Sequence, residues 1–169
     1  MGGARHREGA AGAAAGPPGG AWLGLLRRYL GTVLLGNLLW ETLQLPLYTI
    51  WHDAAPPALA FAVLHCTLGD VAIAAACLAL ALVFSGTADW AREVRVYRRV
   101  AAVATTIGVA YLVYSEHVNV GVPGRWAYAP EMPRLPPFGT GLAPFLQWLL
   151  LPPLAFLCAW RHRVGKRRR

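Results

Sequence analysis

Four long apolar blocks separated by short polar joints dominate the chain. They run over about residues 29–51, 58–84, 100–120 and 142–160, and each approaches or exceeds the ~20 helical residues that cross a hydrocarbon core of ~30 Å. Arg27 and Arg28 precede the first block, Pro56 and Pro57 open the second, and Arg92, Arg95, Arg98 and Arg99 precede the third. The fourth contains Pro152 and Pro153 and ends before the basic string RHRVGKRRR. The pattern predicts an all-α, four-transmembrane-helix bundle over residues 22–160. Residues 1–21, rich in Gly, Ala and Pro and without an apolar face, are expected to form a disordered tail. Residues 161–169 are expected to form a second, basic tail.

Composition agrees with this pattern. Of the residues, 56% are hydrophobic and 14% charged, against about 25% charged in an ordinary soluble domain. The three cysteines, Cys66, Cys77 and Cys158, lie in apolar stretches without a pairing or metal-knuckle spacing, which favours small buried hydrophobes over a disulfide framework.

The net charge of +8 resolves into flanks. Lys and Arg gather before the first span, between the second and third, and after the fourth, whereas the other side holds only Arg125 and Arg134. Such a bias predicts both termini in the cytoplasm, and four crossings are an even number, as this requires. Charge divided among span ends is explained by topology, so no nucleic-acid partner is implied. The tail with Arg161, Arg163, Lys166, Arg167, Arg168 and Arg169 is expected to meet anionic lipids. Trp22, Trp51, Trp126 and Trp160 suit interfacial belts, whereas Trp40 sits deep.

The candidate chemistry lies in residues that a bilayer disfavours. Charged groups at a helix centre are costly, face the bundle interior and mark function. In the first span Asn37, Glu41, Gln44 and Tyr48 recur at helical spacing and share one face, and Pro46 removes a donor from the same region. In the second, His65 and Asp70 are five residues apart and point about 140° away from each other. In the third, Tyr114 and His117 share one face and Glu116 and Asn119 another. The fourth adds Gln147 and Trp148. By depth these groups fall in the outer half of the membrane, which predicts a polar pocket open outward and closed toward the cytoplasm. The Pro-rich connector 121–141, with Arg125, Glu131 and Arg134, is expected to lie over its mouth as a semi-rigid lid.

Several roles are compatible with this set. Glu41, His65, Glu116 and His117 are ligand types for a divalent metal ion, and helix bundles build such cages from facing side chains. His65 and His117 could alternatively be axial ligands of haem b. Glu41, Asp70, Glu116, Asn37, Gln44, Tyr114 and Gln147 could instead form a site for a small polar ligand or a proton. A proton-coupled transport component would rest on Glu41 and Asp70. With only four helices it would need a homo- or hetero-oligomer, for which the alanines of the second span, Ala74, Ala75, Ala76, Ala79 and Ala81, could serve association. A fourth reading is a non-catalytic membrane subunit or assembly factor whose polar residues satisfy one another. Binding of a metal ion or small polar ligand is the leading reading, with the structural role next to it. A nucleophilic hydrolase is disfavoured by the lack of a G-x-S-x-G elbow. Thiol redox chemistry is disfavoured because no cysteine has a resolving neighbour.

The strings NLLWETLQLPLY, HCTLGD, YSEHVNV, RWAYAPEMP and LQWLLLPP, taken in order over about residues 29–160, resemble a family of small four-helix bacterial inner-membrane proteins. The resemblance implies a periplasm-facing outer side and carries no activity with it.

Overall fold

The computed structural model describes residues 19–85, 90–120, 122–123 and 126–167. Its four long helices are α1 (Gly19–Gln44), α3 (Pro56–Ser85), α4 (Val94–Asn119) and α5 (Leu142–Arg167). A 3-10 turn at Leu45–Leu47 and the short α2 (Ile50–Asp53) join α1 to α3. A two-residue antiparallel pair, β1 (Arg134–Leu135) and β2 (Thr140–Gly141), interrupts the connector to α5. Among the described residues, α3, α4 and the Leu142–His162 part of α5 are long and apolar enough to cross a membrane. α1 is equally long but is not one of the three, because Arg27, Arg28, Asn37 and Glu41 dilute its apolar content.

The helix limits differ from the hydropathy blocks for local reasons. α1 starts ten residues before Tyr29 because its buried stripe begins at Leu25 and continues through Tyr29, Val33 and Asn37. It ends at Gln44 instead of 51, since Pro46 supplies no backbone N–H and disfavours helical geometry at Leu45. Likewise α4 begins at Val94, six residues before the apolar block. Its Tyr97 belongs to the same inward row as Val100, Ala104, Gly108, Leu112 and Glu116, while Arg95, Arg98 and Arg99 stay exposed. α5 continues to Arg167, so most of the expected basic tail is helical. Residues 1–18, Arg125 and the last two arginines lie outside the described residues.

Each long helix packs on two others, in the ring order α1, α3, α4, α5 and back to α1. The chain runs up and down, as the contacts at the two ends require. At one end the start of α1, the start of α4 and the end of α5 meet in an aromatic cluster. Tyr29 lies 4.3 Å from Phe156, Tyr97 4.5 Å from Trp160, and Trp90 stacks on Tyr97 at 5.7 Å between ring centroids. The Tyr97 hydroxyl also donates to the Phe156 carbonyl at 2.6 Å.

Between the ends, small residues let the helices approach. Ala74, Cys77 and Ala81 of α3 and Ala104 and Gly108 of α4 are buried there. A Cβ at Gly108 would sit 2.6 Å from two ring carbons of Trp148, so the bare Cα is what lets the indole lie across α4. The buried Ala74 and Ala81 serve this bundle's own core, not the association face expected of them. Of the cysteines only Cys77 is buried; Cys66 and Cys158 are on outward faces. Large apolar side chains such as Leu35, Leu43, Phe61, Val83 and Phe84 are exposed around the bundle, an exterior suited to lipid and not to water.

At the other end the connector docks on the α1–α2 link. The Thr49 N–H donates to the Ala127 carbonyl at 3.0 Å and the Ala129 N–H to the Leu47 carbonyl at 2.9 Å, forming a bridge between Tyr48 and Tyr128. Gly139, at φ +72°, closes the β1–β2 turn in the left-handed conformation. Tyr128, Ala129 and Met132 of the connector are buried, whereas its Glu131 and Arg134 are exposed.

Candidate functional site

α1, α3 and α5 bring five of the polar residues into one hydrogen-bonded knot at the connector end. Its centre is Gln147, 2% exposed. The Gln147 amide nitrogen lies 2.7 Å from Asn37 Oδ1, 2.8 Å from Glu41 Oε1 and 3.0 Å from Asp70 Oδ2. Two hydrogens are therefore shared among three acceptors on two other helices. The Gln44 amide nitrogen donates to Glu41 Oε1 at 3.0 Å and to Gln147 Oε1 at 3.1 Å. Asn37 turns its own amide hydrogens to the Val33 carbonyl, at 2.7 Å.

The local reason is periodicity. Asn37, Glu41 and Gln44 continue the stripe begun by Leu25, Tyr29 and Val33, so the row that holds α1 in the core becomes polar in its last two turns. On α3, Asp70 faces this row, with its carboxyl close to the Glu41 carboxyl and to the Trp148 indole. Among the described residues, no Lys, Arg or His is a partner of either group.

Glu116 is buried at the end of α4, where the Trp126 indole of the connector lies beside its carboxyl. Its Oε2 has no partner, and neither has Gln44 Oε1 nor Asn119 Oδ1. The connector end is thus rich in oxygen acceptors and short of donors.

The remaining sequence candidates lie elsewhere. Tyr114 is 65% exposed on the outer face of α4, so it is not part of the knot. His65 is exposed and stacked on Phe61 of its own helix, with ring centroids 5.6 Å apart. It points away from Asp70, as a five-residue separation dictates. His117 is exposed and edge-on to Phe138 of the connector at 5.8 Å. The proposed metal set of Glu41, His65, Glu116 and His117 is therefore not assembled: its carboxyls face inward and its imidazoles outward. Among the described residues, no group of three or more His, Cys, Asp or Glu side chains is arranged to hold a metal ion. The same outward placement leaves the two imidazoles with separate aromatic partners instead of a common haem. Tyr48 falls beyond the end of α1 and packs on Tyr128 at 5.6 Å.

Beside the knot the side chains are closely packed. The gap beside the knot, bordered by Val33, Asn37, Ala74, Gln147, Trp148 and Pro152, has no room for a water molecule. Gln147 and Trp148 fill the space that helix faces alone suggest is open.

Trp126, which the sequence suggests only as an interfacial residue, lies beside the Glu116 carboxyl, and Trp148, expected beside Gln147, lies near Asp70. An indole N–H in apolar surroundings requires an acceptor, and a carboxyl is near each. Their positions next to carboxyl-bearing helices are set by tertiary structure, so only the bare need for an acceptor is legible beforehand. No family model, no curated protein and no solved structure matches this chain.

Proposed function

We propose that the protein is a four-span membrane protein of a bacterial inner membrane with both termini in the cytoplasm, and that Glu41, Asp70 and Glu116 form its proton-binding site near the periplasmic face. The outward face of α1, with Leu35, Leu39 and Leu43 exposed, supports α1 as the fourth span. Its polar residues face the bundle. The aromatic end carries the exposed Arg27, Arg95, Arg98, Arg99 and Arg161, which supports the cytoplasmic assignment of that end.

The observation that carries the proton reading is the convergence of the Glu41 and Asp70 carboxyls on the Gln147 amide nitrogen, at 2.8 and 3.0 Å, with no cationic side chain as a partner of either among the described residues. Buried charge is normally paired or neutralised, and here the neutralising species is a proton. Glu116, under the connector with one unpartnered oxygen, is the entry group. This role is that of a small proton-coupled transport component.

The test is proton movement in vesicles that contain the purified protein and a trapped pH-sensitive dye, with the membrane potential clamped. Wild type should collapse an imposed pH difference, and Glu41→Gln and Asp70→Asn should slow the collapse to the rate of empty vesicles. A second reading, a non-catalytic membrane subunit, is favoured by the absence of room for water at the knot. It predicts wild type no faster than empty vesicles, and carboxyl infrared bands that stay unchanged on acidification.

A further inference from the structure

Away from the carboxyl knot, at the aromatic end, α4 and α5 border a cavity of about 440 Å³. Ala101 and Ala102 form its α4 wall with small side chains, Pro153 and Leu157 face them from α5, and Arg98 and Trp160 stand at its mouth. Its lining runs along α4 from Val94 to Thr106, which at 1.5 Å per residue is roughly 18 Å. One leaflet contributes about half of a hydrocarbon core of ~30 Å, so the groove has the depth of a single leaflet.

Its charge is one-sided. The lining is mainly apolar, with the uncharged Thr105 and Thr106 at the far end, whereas the mouth carries Arg98, with Arg95, Arg99, Arg161 and His162 exposed on the surrounding turns. Arginine pairs with phosphate oxygens in a planar, two-pronged geometry, and Trp160 is an interfacial residue type. A narrow apolar slot one leaflet deep, with a cationic rim, is complementary to an amphiphile with one anionic head.

We propose that this groove is a binding site for an anionic phospholipid, one acyl chain lying between α4 and α5 and the phosphate held by Arg98. The site differs from general attraction of acidic lipids to basic residues in requiring a shaped slot as well as charge. It depends on the protein lying in a membrane and is independent of the proton reading.

The test uses the full chain reconstituted in nanodiscs made of equal parts phosphatidylcholine and phosphatidylglycerol, then extracted and weighed by native mass spectrometry. Wild type should retain one phosphatidylglycerol in preference to phosphatidylcholine. Ala101→Trp fills the slot and should abolish retention. Arg98→Gln should keep a lipid while losing about fivefold of the preference, the equivalent of one basic residue at an anionic surface. Arg95→Gln, outside the lining, should change the preference less than Arg98→Gln. Ala102→Leu, at an exposed position on the same wall, narrows the groove without entering the core, so a folding failure of Ala101→Trp does not end the test. Retention by both filled variants at the wild-type level, or an unchanged preference in Arg98→Gln, overturns the proposal. So does a wild type that retains no lipid.

Discussion

The two ends of the bundle are built from the same four helices by different physics. At the connector end the contacts are directional: Gln147 reaches Asn37, Glu41 and Asp70 at set distances. At the aromatic end Tyr29, Trp90, Tyr97, Phe156 and Trp160 meet mainly as faces and edges. Within lipid, apolar side chains gain little by leaving one oily surface for another, so helix association relies on close packing and interhelical hydrogen bonds. A one-residue slip of α5 would change the aromatic contacts by degrees but would separate Gln147 from all its acceptors. The knot therefore fixes register. The aromatic end supplies adhesion and tolerates a groove.

The largest effect should follow from Gln147→Leu, which leaves Asn37 Oδ1 and both carboxyls short of a donor. Interhelical hydrogen bonds contribute roughly 0.6 to 2 kcal/mol each and orphaned buried groups cost more, so a loss of about 3 kcal/mol is expected in detergent unfolding. A wild-type midpoint would show that the knot is not a unit. Next comes Gly108→Ala, whose methyl would collide with the Trp148 ring at a cost of roughly 1 to 3 kcal/mol. Because Trp148 adjoins Gln147, which bonds Asp70, combining it with Asp70→Asn should give a non-additive loss in a double-mutant cycle. Strict additivity would separate the glycine contact from the knot.

At the aromatic end, Tyr97→Phe removes the bond to the Phe156 carbonyl and should cost about 1 kcal/mol, with the ring contacts retained. A loss as large as that of Gln147→Leu would erase the distinction between the ends. The smallest change is expected for His65→Ala. An exposed imidazole on the outer face of α3 should matter by less than about 0.5 kcal/mol and should leave proton movement unaltered. A strong phenotype there would reopen the histidine-centred readings.

Much of the inward geometry was legible as 3.6-residue spacing. Asn37, Glu41 and Gln44 do share a buried or half-buried face, Glu116 and Asn119 do turn inward together, and Asp70 and His65 do diverge. Spacing could not say which of two faces on α4 is inner, because Tyr114 with His117 is as polar a pair as Glu116 with Asn119. Packing against Trp126 and α5 decides that. Nor could it distinguish a pocket from a knot. That depends on the reach of Gln147 and the bulk of Trp148, which fill the interior from a helix separated from the carboxyls by 77 to 106 residues. The ends of α1 and α4 also lay beyond hydropathy, since Leu25 and Tyr97 are held by partners from other helices while arginines on the same turns face outward.

The arrangement around Gln147 has a consequence for biosynthesis. Synthesis runs from α1 to α5, so Glu41 and Asp70 emerge long before the residues that complete their bonding. Asp70 receives the Gln147 amide from α5, the last long helix to leave the ribosome. Until then Glu41 of α1 lacks the interhelical donor that the finished fold provides. The insertion machinery must shelter the first three helices while the fourth is made, and a chain cut before Leu142 would present quality-control proteases with two acidic helices that have lost their α5 donors.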